Sequence, residues 1–134
     1  ATFTISVDGT YFIRLENNDG LAARTATALL TISDAPAWVT GSGSLGTVAA
    51  AGTFNFTLTA TDAVSFAVTS GALPGGATLN TGVGSATITG TETGTTQTTT
   101  SSFTVTATDA QGQTASRAFT ITVSHGLSNG GQFN

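Results

Sequence analysis

Phe103-Thr104-Val105-Thr106-Ala107-Thr108-Asp109-Ala110-Gln111-Gly112 and, after a short polar stretch, Phe119-Thr120-Ile121-Thr122-Val123 set a hydrophobic residue at every second position on either side of a turn. Side chains alternate across a strand with period two, so each run offers one face to a dry interior and a threonine face to water. Aspartate accepts the amides of a tight turn and glycine supplies a positive φ at little cost, so 109–112 reads as the reversal of a β-hairpin.

The same design occurs once before. At an offset of 92 (103 − 11 = 92), Tyr11, Ile13 and Leu15 fall on Phe103, Val105 and Ala107, and Gly20 falls on Gly112. After a one-residue slip the offset is 91 (119 − 28 = 91), which sets Ala28, Leu30 and Ile32 on Phe119, Ile121 and Val123. The turn of this earlier copy is Asn17-Asn18-Asp19-Gly20, and Leu21 to Ser33 alternates like a strand instead of following a helical period. A repeat of this length matches one β-sandwich domain. Residues 1–33 are therefore expected to be the closing strands of a preceding module, and the chain to start inside a domain. An isolated hairpin is marginal in water, so this piece is expected to be completed by residues outside the chain, a neighbouring subunit or the second domain.

Residues 34–124 are expected to form a whole antiparallel sandwich, and 125–134 a Gly/Asn-rich tail or linker. Trp38 and Val39 open the body. Phe54, Phe56, Leu58 and Ala60 alternate with Asn55, Thr57 and Thr59 as a strand with one buried face. After a turn near Thr61-Asp62, Phe66 and Val68 mark the next strand. Leu73-Pro74-Gly75-Gly76 then breaks the ladder, since proline cannot donate and glycine permits a tight reversal. Short strands around Ala77 to Leu79 and Ala86 to Ile88 follow, and the Thr-rich run from Thr91 to Thr100 leads into the final hairpin.

Composition narrows the function. Of 134 residues, 7% are charged and 30 are Thr, a mixture suited to pleated, half-buried surfaces. Three Arg and no Lys against seven carboxylates give a net charge of −4, which leaves no basic stripe to track a phosphate backbone and argues against nucleic-acid binding. No apolar run reaches the roughly 18 to 20 residues of a membrane-spanning helix. With no Cys there is no disulfide, and with no Lys there is no Lys-Asn or Lys-Asp isopeptide staple.

The residues that could carry chemistry are few. His125 is the single His and lies next to a Gly-rich tail, so neither a hydrolase triad nor a multi-His metal site is expected. Glycoside hydrolysis needs two facing carboxyls, and Glu16, Glu92 and five Asp are the candidates, most of them in turn contexts. Asp62 and Asp109 share an Ala-Thr-Asp context that reads as a repeated turn. Trp38 and Tyr11 are single, too few for a carbohydrate platform, and Trp38 is expected to wedge between modules or into the core. Asn55-Phe56-Thr57 matches a glycosylation sequon on an outward face. No catalytic, cofactor or metal residue is assigned, and the chain is expected not to be an enzyme.

Taken in order, Phe66-Ala67-Val68-Thr69-Ser70-Gly71-Ala72-Leu73-Pro74-Gly75, Ala77-Thr78-Leu79-Asn80, Ala86-Thr87-Ile88-Thr89-Gly90-Thr91, Phe103 to Asp109 and Phe119 to Val123 resemble the Ig, cadherin-like repeats of bacterial surface proteins and of structural proteins of marine and cyanobacterial tailed phages. The resemblance implies an all-β, immunoglobulin-like antiparallel sandwich. Pro36-Ala37-Trp38-Val39-Thr40 followed by Gly43-Ser44-Leu45-Gly46 looks most like the phage versions. That implies a non-catalytic virion component, as fibre, tail or capsid decoration, packed on copies of itself or on other virion subunits. The alternatives are a spacer in a bacterial surface adhesin or filament, extracellular in location, and a carbohydrate-binding module that contacts glycans. The resemblance also makes calcium near Asp34 the metal to consider, although the dense Asp-x-Asp clusters that supply six to eight oxygens are missing. Asp8-Gly9-Thr10-Tyr11 resembles the tyrosine corner of Ig-type modules, which implies that Tyr11 caps a strand.

Overall fold

A computed structural model describes residues 4–5, 7–16, 25–94 and 96–126. The turn expected at 17–20, residues 21–24 and the tail from 127 lie outside the described residues. The chain divides into two compact units, Ala1–Asp34 and Ala35–Asn134.

In the first unit, β1 (Gly9–Glu16) and β2 (Thr25–Ile32) form a two-stranded antiparallel sheet in which Tyr11 faces Leu30 and Ile13 faces Ala28. In the second unit, β3 (Ala37–Trp38), β4 (Gly43–Ala49), β5 (Thr53–Thr61), β6 (Ser65–Gly71), β7 (Ala77–Thr81), β8 (Ser85–Thr91), β9 (Thr99–Thr108) and β10 (Thr114–Ser124) make two four-stranded sheets, ordered β3-β5-β8-β7 and β4-β10-β9-β6. This is an immunoglobulin-like sandwich, with strands equivalent to A, B, E and D in one sheet and to C, F and G in the other. The described residues contain no helix.

Alternation explains the core. Fourteen buried hydrophobic residues, all between Val48 and Val123, fill the space between the sheets, among them Phe54, Leu58, Ile88, Phe103, Val105, Phe119 and Ile121. The expected strands of the body form with shifted bounds: the opening at Trp38 and Val39 is Ala37–Trp38, and the runs around Ala77–Leu79 and Ala86–Ile88 extend to Ala77–Thr81 and Ser85–Thr91. The expected reversal is a turn in which the Ala77 amide donates to the Pro74 carbonyl (3.1 Å) with Gly76 at φ 83°. Glycine is required here twice over, because a Cβ on Gly76 would stand 1.9 Å from the Thr91 carbonyl oxygen.

β4 is a strand that the alternation rule does not reveal. It runs parallel to β10, and its register shifts between Thr120 and Ile121, leaving Leu45 as an extra residue between Ser44 and Gly46. A bulge of this kind re-phases the side chains. Leu45 and Val48 therefore both turn towards the core although they stand three apart, which erases the period of two.

Strand pairing also corrects the repeat. With Tyr11 matched to Phe103, its partner Leu30 corresponds to Phe119, the partner of Phe103, instead of to Ile121. The first hairpin leaves eight residues between Glu16 and Thr25, and the second leaves five between Thr108 and Thr114. The difference of three (8 − 5 = 3) changes the offset from 92 on the first strand to 89 on the second. The displacement from the sequence match is two residues, so every inward position stays inward.

Candidate functional site

In the body, three polar groups sit where the inward alternation runs past its apolar residues. Glu92 continues Ala86, Ile88 and Gly90; Asp109 continues Phe103, Val105 and Ala107; Arg117 precedes Phe119, Ile121 and Val123. Each therefore points into an end of the sandwich, where burial demands a partner. Glu92 is buried, and its carboxylate accepts the Ala51 amide at 2.8 Å while its own amide donates to the Gly52 carbonyl at 2.8 Å. It thus clasps the β4–β5 turn, where Ala51 holds φ 57°. The buried Asp109 carboxylate accepts the amides of Gln111 (2.9 Å) and Gln113 (2.7 Å), closing the β9–β10 turn. The Arg117 guanidinium donates to the Thr40 carbonyl at 2.7 Å and ties β10 to the crossing between β3 and β4.

Trp38 plugs the same end. Its indole N–H donates to the Ala115 carbonyl at 3.0 Å, and its ring meets Phe66 and Phe119 edge-on, with centroids 5.7 and 5.4 Å away. Of the two placements expected for Trp38, the core is the one observed. A ring held edge-on by two phenylalanines is not a sugar platform.

The remaining candidates are scattered. Asp62 is exposed at φ 62° and does not repeat the buried turn of Asp109, so their shared Ala-Thr-Asp context yields two different structures. Glu16 pairs with Arg14 on the exposed side of β1. Asp8 accepts the Asp34 amide at 3.3 Å, which brings those two residues together. Among the described residues no group of three or more His, Cys, Asp or Glu gathers to hold a metal. Tyr11 donates its hydroxyl to the Val7 carbonyl at 2.7 Å, four residues upstream, the geometry of a tyrosine corner. Asn55 is exposed on β5. The His125 amide donates to the Thr98 hydroxyl at 3.1 Å, so its backbone is held against the body.

One concave feature of the body is a shallow groove of about 440 Å³. It follows the cross-strand row Gly71, Phe103, Phe119, Gly43 over the second sheet, where glycines at both edges leave space beside the two ring-bearing strands. Ser102, Thr104, Ala118 and Thr120 wall it, and no charged side chain lines it. On the same sheet, hydroxyls bond to each other in the chain Thr69, Thr106, Ser116 (2.8 and 2.7 Å) and in the pair Thr100, Thr122 (2.9 Å). Arg117, the clasp made by Glu92, which the sequence offers only as a candidate carboxyl, and the groove escape a reading that seeks conspicuous motifs. The signal for the first two is a charged residue in the inward phase of an alternating run.

No curated protein matches the sequence. Two structures of the endo-fucoidan hydrolase MfFcnA4 from glycoside hydrolase family 107 are similar at 19% identity, over 93% of this chain and 21% of that chain, with TM-scores of 0.54 and 0.53. The chain thus spans about a fifth of their length. The mouse clustered PcdhgC3 EC1-3 structure is similar at 14% identity, over 87% of this chain and 42% of that chain, with a TM-score of 0.44. Residues 62–124, which carry β6 to β10, match the family described as "Putative Ig domain".

Proposed function

We propose that the chain is a non-catalytic structural module that spaces and packs subunits of a larger extracellular or virion assembly. One observation carries this reading: the buried polar groups Glu92 and Asp109 and the clamp Arg117 all bind backbone atoms of the body's own turns and crossings. What remains for a partner is two neutral sheet faces rich in Thr and Ser, suited to packing against other protein surfaces. Copies of the same chain are the partners proposed. The virion form of this proposal, as fibre, tail or decoration protein, is supported by the resemblance at Pro36 to Thr40 and Gly43 to Gly46; the surface adhesin or filament form is its alternative.

A second reading is favoured by the likeness to the fucoidan hydrolase structures together with the hydroxyl-walled groove: an accessory, glycan-contacting module of a polysaccharide-degrading enzyme. Mass spectrometry of purified particles, washed cell envelopes and secreted protein separates these readings. Stoichiometric copies in particles support the virion form, and recovery in envelopes supports the filament form. Recovery within a secreted hydrolase polypeptide, with glycan binding lost in Ala118→Trp, would replace the first reading by the second. Ala118 is exposed on the groove wall, so filling it tests the groove without removing the core ring that Trp38→Ala would delete.

A further inference from the structure

We propose that β1–β2 is the F–G hairpin of a second sandwich, and that its inward face docks a four-stranded sheet of the β3-β5-β8-β7 design supplied by polypeptide N-terminal to Gly9.

Three observations converge. First, the face made by Tyr11, Ile13, Leu15, Leu30 and Ile32 matches positions that the body buries. Leu15 is 67% and Leu30 38% exposed, whereas Phe103 and Phe119 are 3% and 1% exposed beneath the opposing sheet. The body thus displays what covers a hairpin of this pattern. Second, Tyr11 bonds the Val7 carbonyl, fixing how the chain enters β1. A corner of this type sits at the start of strand F, where the chain arrives from the opposing sheet. Third, β9 has β6 on its far side and β10 has β4 in parallel, whereas among the described strands β1 and β2 pair only with each other. The missing neighbours are therefore specified: an antiparallel strand beside β1 and a parallel one beside β2. In the body these elements lie in the 62 positions from Ala37 to Thr98, ahead of β9 (98 − 37 + 1 = 62), which sets the length of preceding chain required.

Trypsin tests this directly, because the chain has three Arg and no Lys. Arg14 lies within β1 and Arg117 within β10, so the first reports on the hairpin and the second on the body. In the 134-residue chain, cleavage after Arg14 is expected to be at least about 100-fold faster than after Arg117, reflecting local against global opening. With the natural preceding residues attached, cleavage after Arg14 slows to within about tenfold of Arg117. Tyr11→Phe in that longer protein then speeds cleavage after Arg14 several-fold and leaves Arg117 unchanged. Slow cleavage after Arg14 in the 134-residue chain itself overturns the proposal, and its loss on dilution would identify a second copy as the cover. Fast cleavage in the longer protein, or a natural protein with too few preceding residues to build the sheet, overturns it equally.

Discussion

The two hairpins of this chain share an alternating pattern and differ in what lies against them. In β9–β10, Phe103, Val105, Phe119 and Ile121 sit under a second sheet of their own unit and are buried; the matching Tyr11, Ile13, Leu30 and Ile32 belong to a unit whose described strands are β1 and β2 alone. Their outward faces differ as well. Thr104 and Ala118 face each other on the body, whereas the equivalent pair on the first hairpin is Phe12 and Leu29, exposed by 81% and 63%. An alternating sequence therefore specifies a strand and its inward side, while stability comes from the partner that dries that side.

Substitution at matched positions separates pattern from burial, and the single Trp and single Tyr report on the body and the hairpin respectively. Val105→Asp sets a carboxylate in the core, at a cost of several kcal/mol against a total stability of about 5–15 kcal/mol, and is expected to abolish the cooperative transition seen by Trp38 fluorescence. Ile13→Asp, its counterpart, is expected to leave that transition within about 0.5 kcal/mol. Next in size, Phe119→Ala should cost about 3–5 kcal/mol in urea unfolding, and the matched Leu30→Ala within about 0.5 kcal/mol. Equal losses for the members of either pair would remove the distinction between the hairpins.

Smaller changes sharpen what holds the ends of the sandwich. Asp109→Ala strips the acceptor from the Gln111 and Gln113 amides and is expected to cost about 2 kcal/mol in the same titration. Trp38→Phe keeps an aromatic ring against Phe66 and Phe119 but leaves the Ala115 carbonyl without its donor, at about 1 kcal/mol, read by thermal unfolding in circular dichroism. If Asp109→Ala were neutral, the buried carboxylate would not be holding the turn.

The strands from β5 to β10 were legible because their inward residues alternate; β6 also carries a register shift, but it falls after Phe66 and Val68, the two residues that mark the strand. β4 was not, because the bulge at Leu45 breaks the period, and its parallel partner β10 lies at the other end of the sequence. The repeat was legible as a face but not as a register: the number of residues between two strands bears on which residues pair, and intervals of eight and five residues look alike to a match that follows only apolar spacing. For the site, the turn role of Asp109 followed from its neighbours in sequence. The clasps made by Glu92 and Arg117 reach across 41 and 77 positions, so no local context reveals them. Their inward phase was the available sign, since a charge continuing an apolar run must find a partner within the fold.

Residue-resolved amide hydrogen exchange on the 134-residue chain is the most direct test of the contrast between a hairpin built into a two-sheet sandwich and one in a two-stranded sheet. The amides of Val105 and Ile121 are expected to exchange only through global unfolding, and those of Ile13 and Leu30 within about a hundredfold of unstructured peptide rates. Equal protection in β1–β2 and β9–β10, or rapid exchange in both, would contradict the claim that burial beneath a second sheet, and not the alternating pattern, is what stabilises these strands.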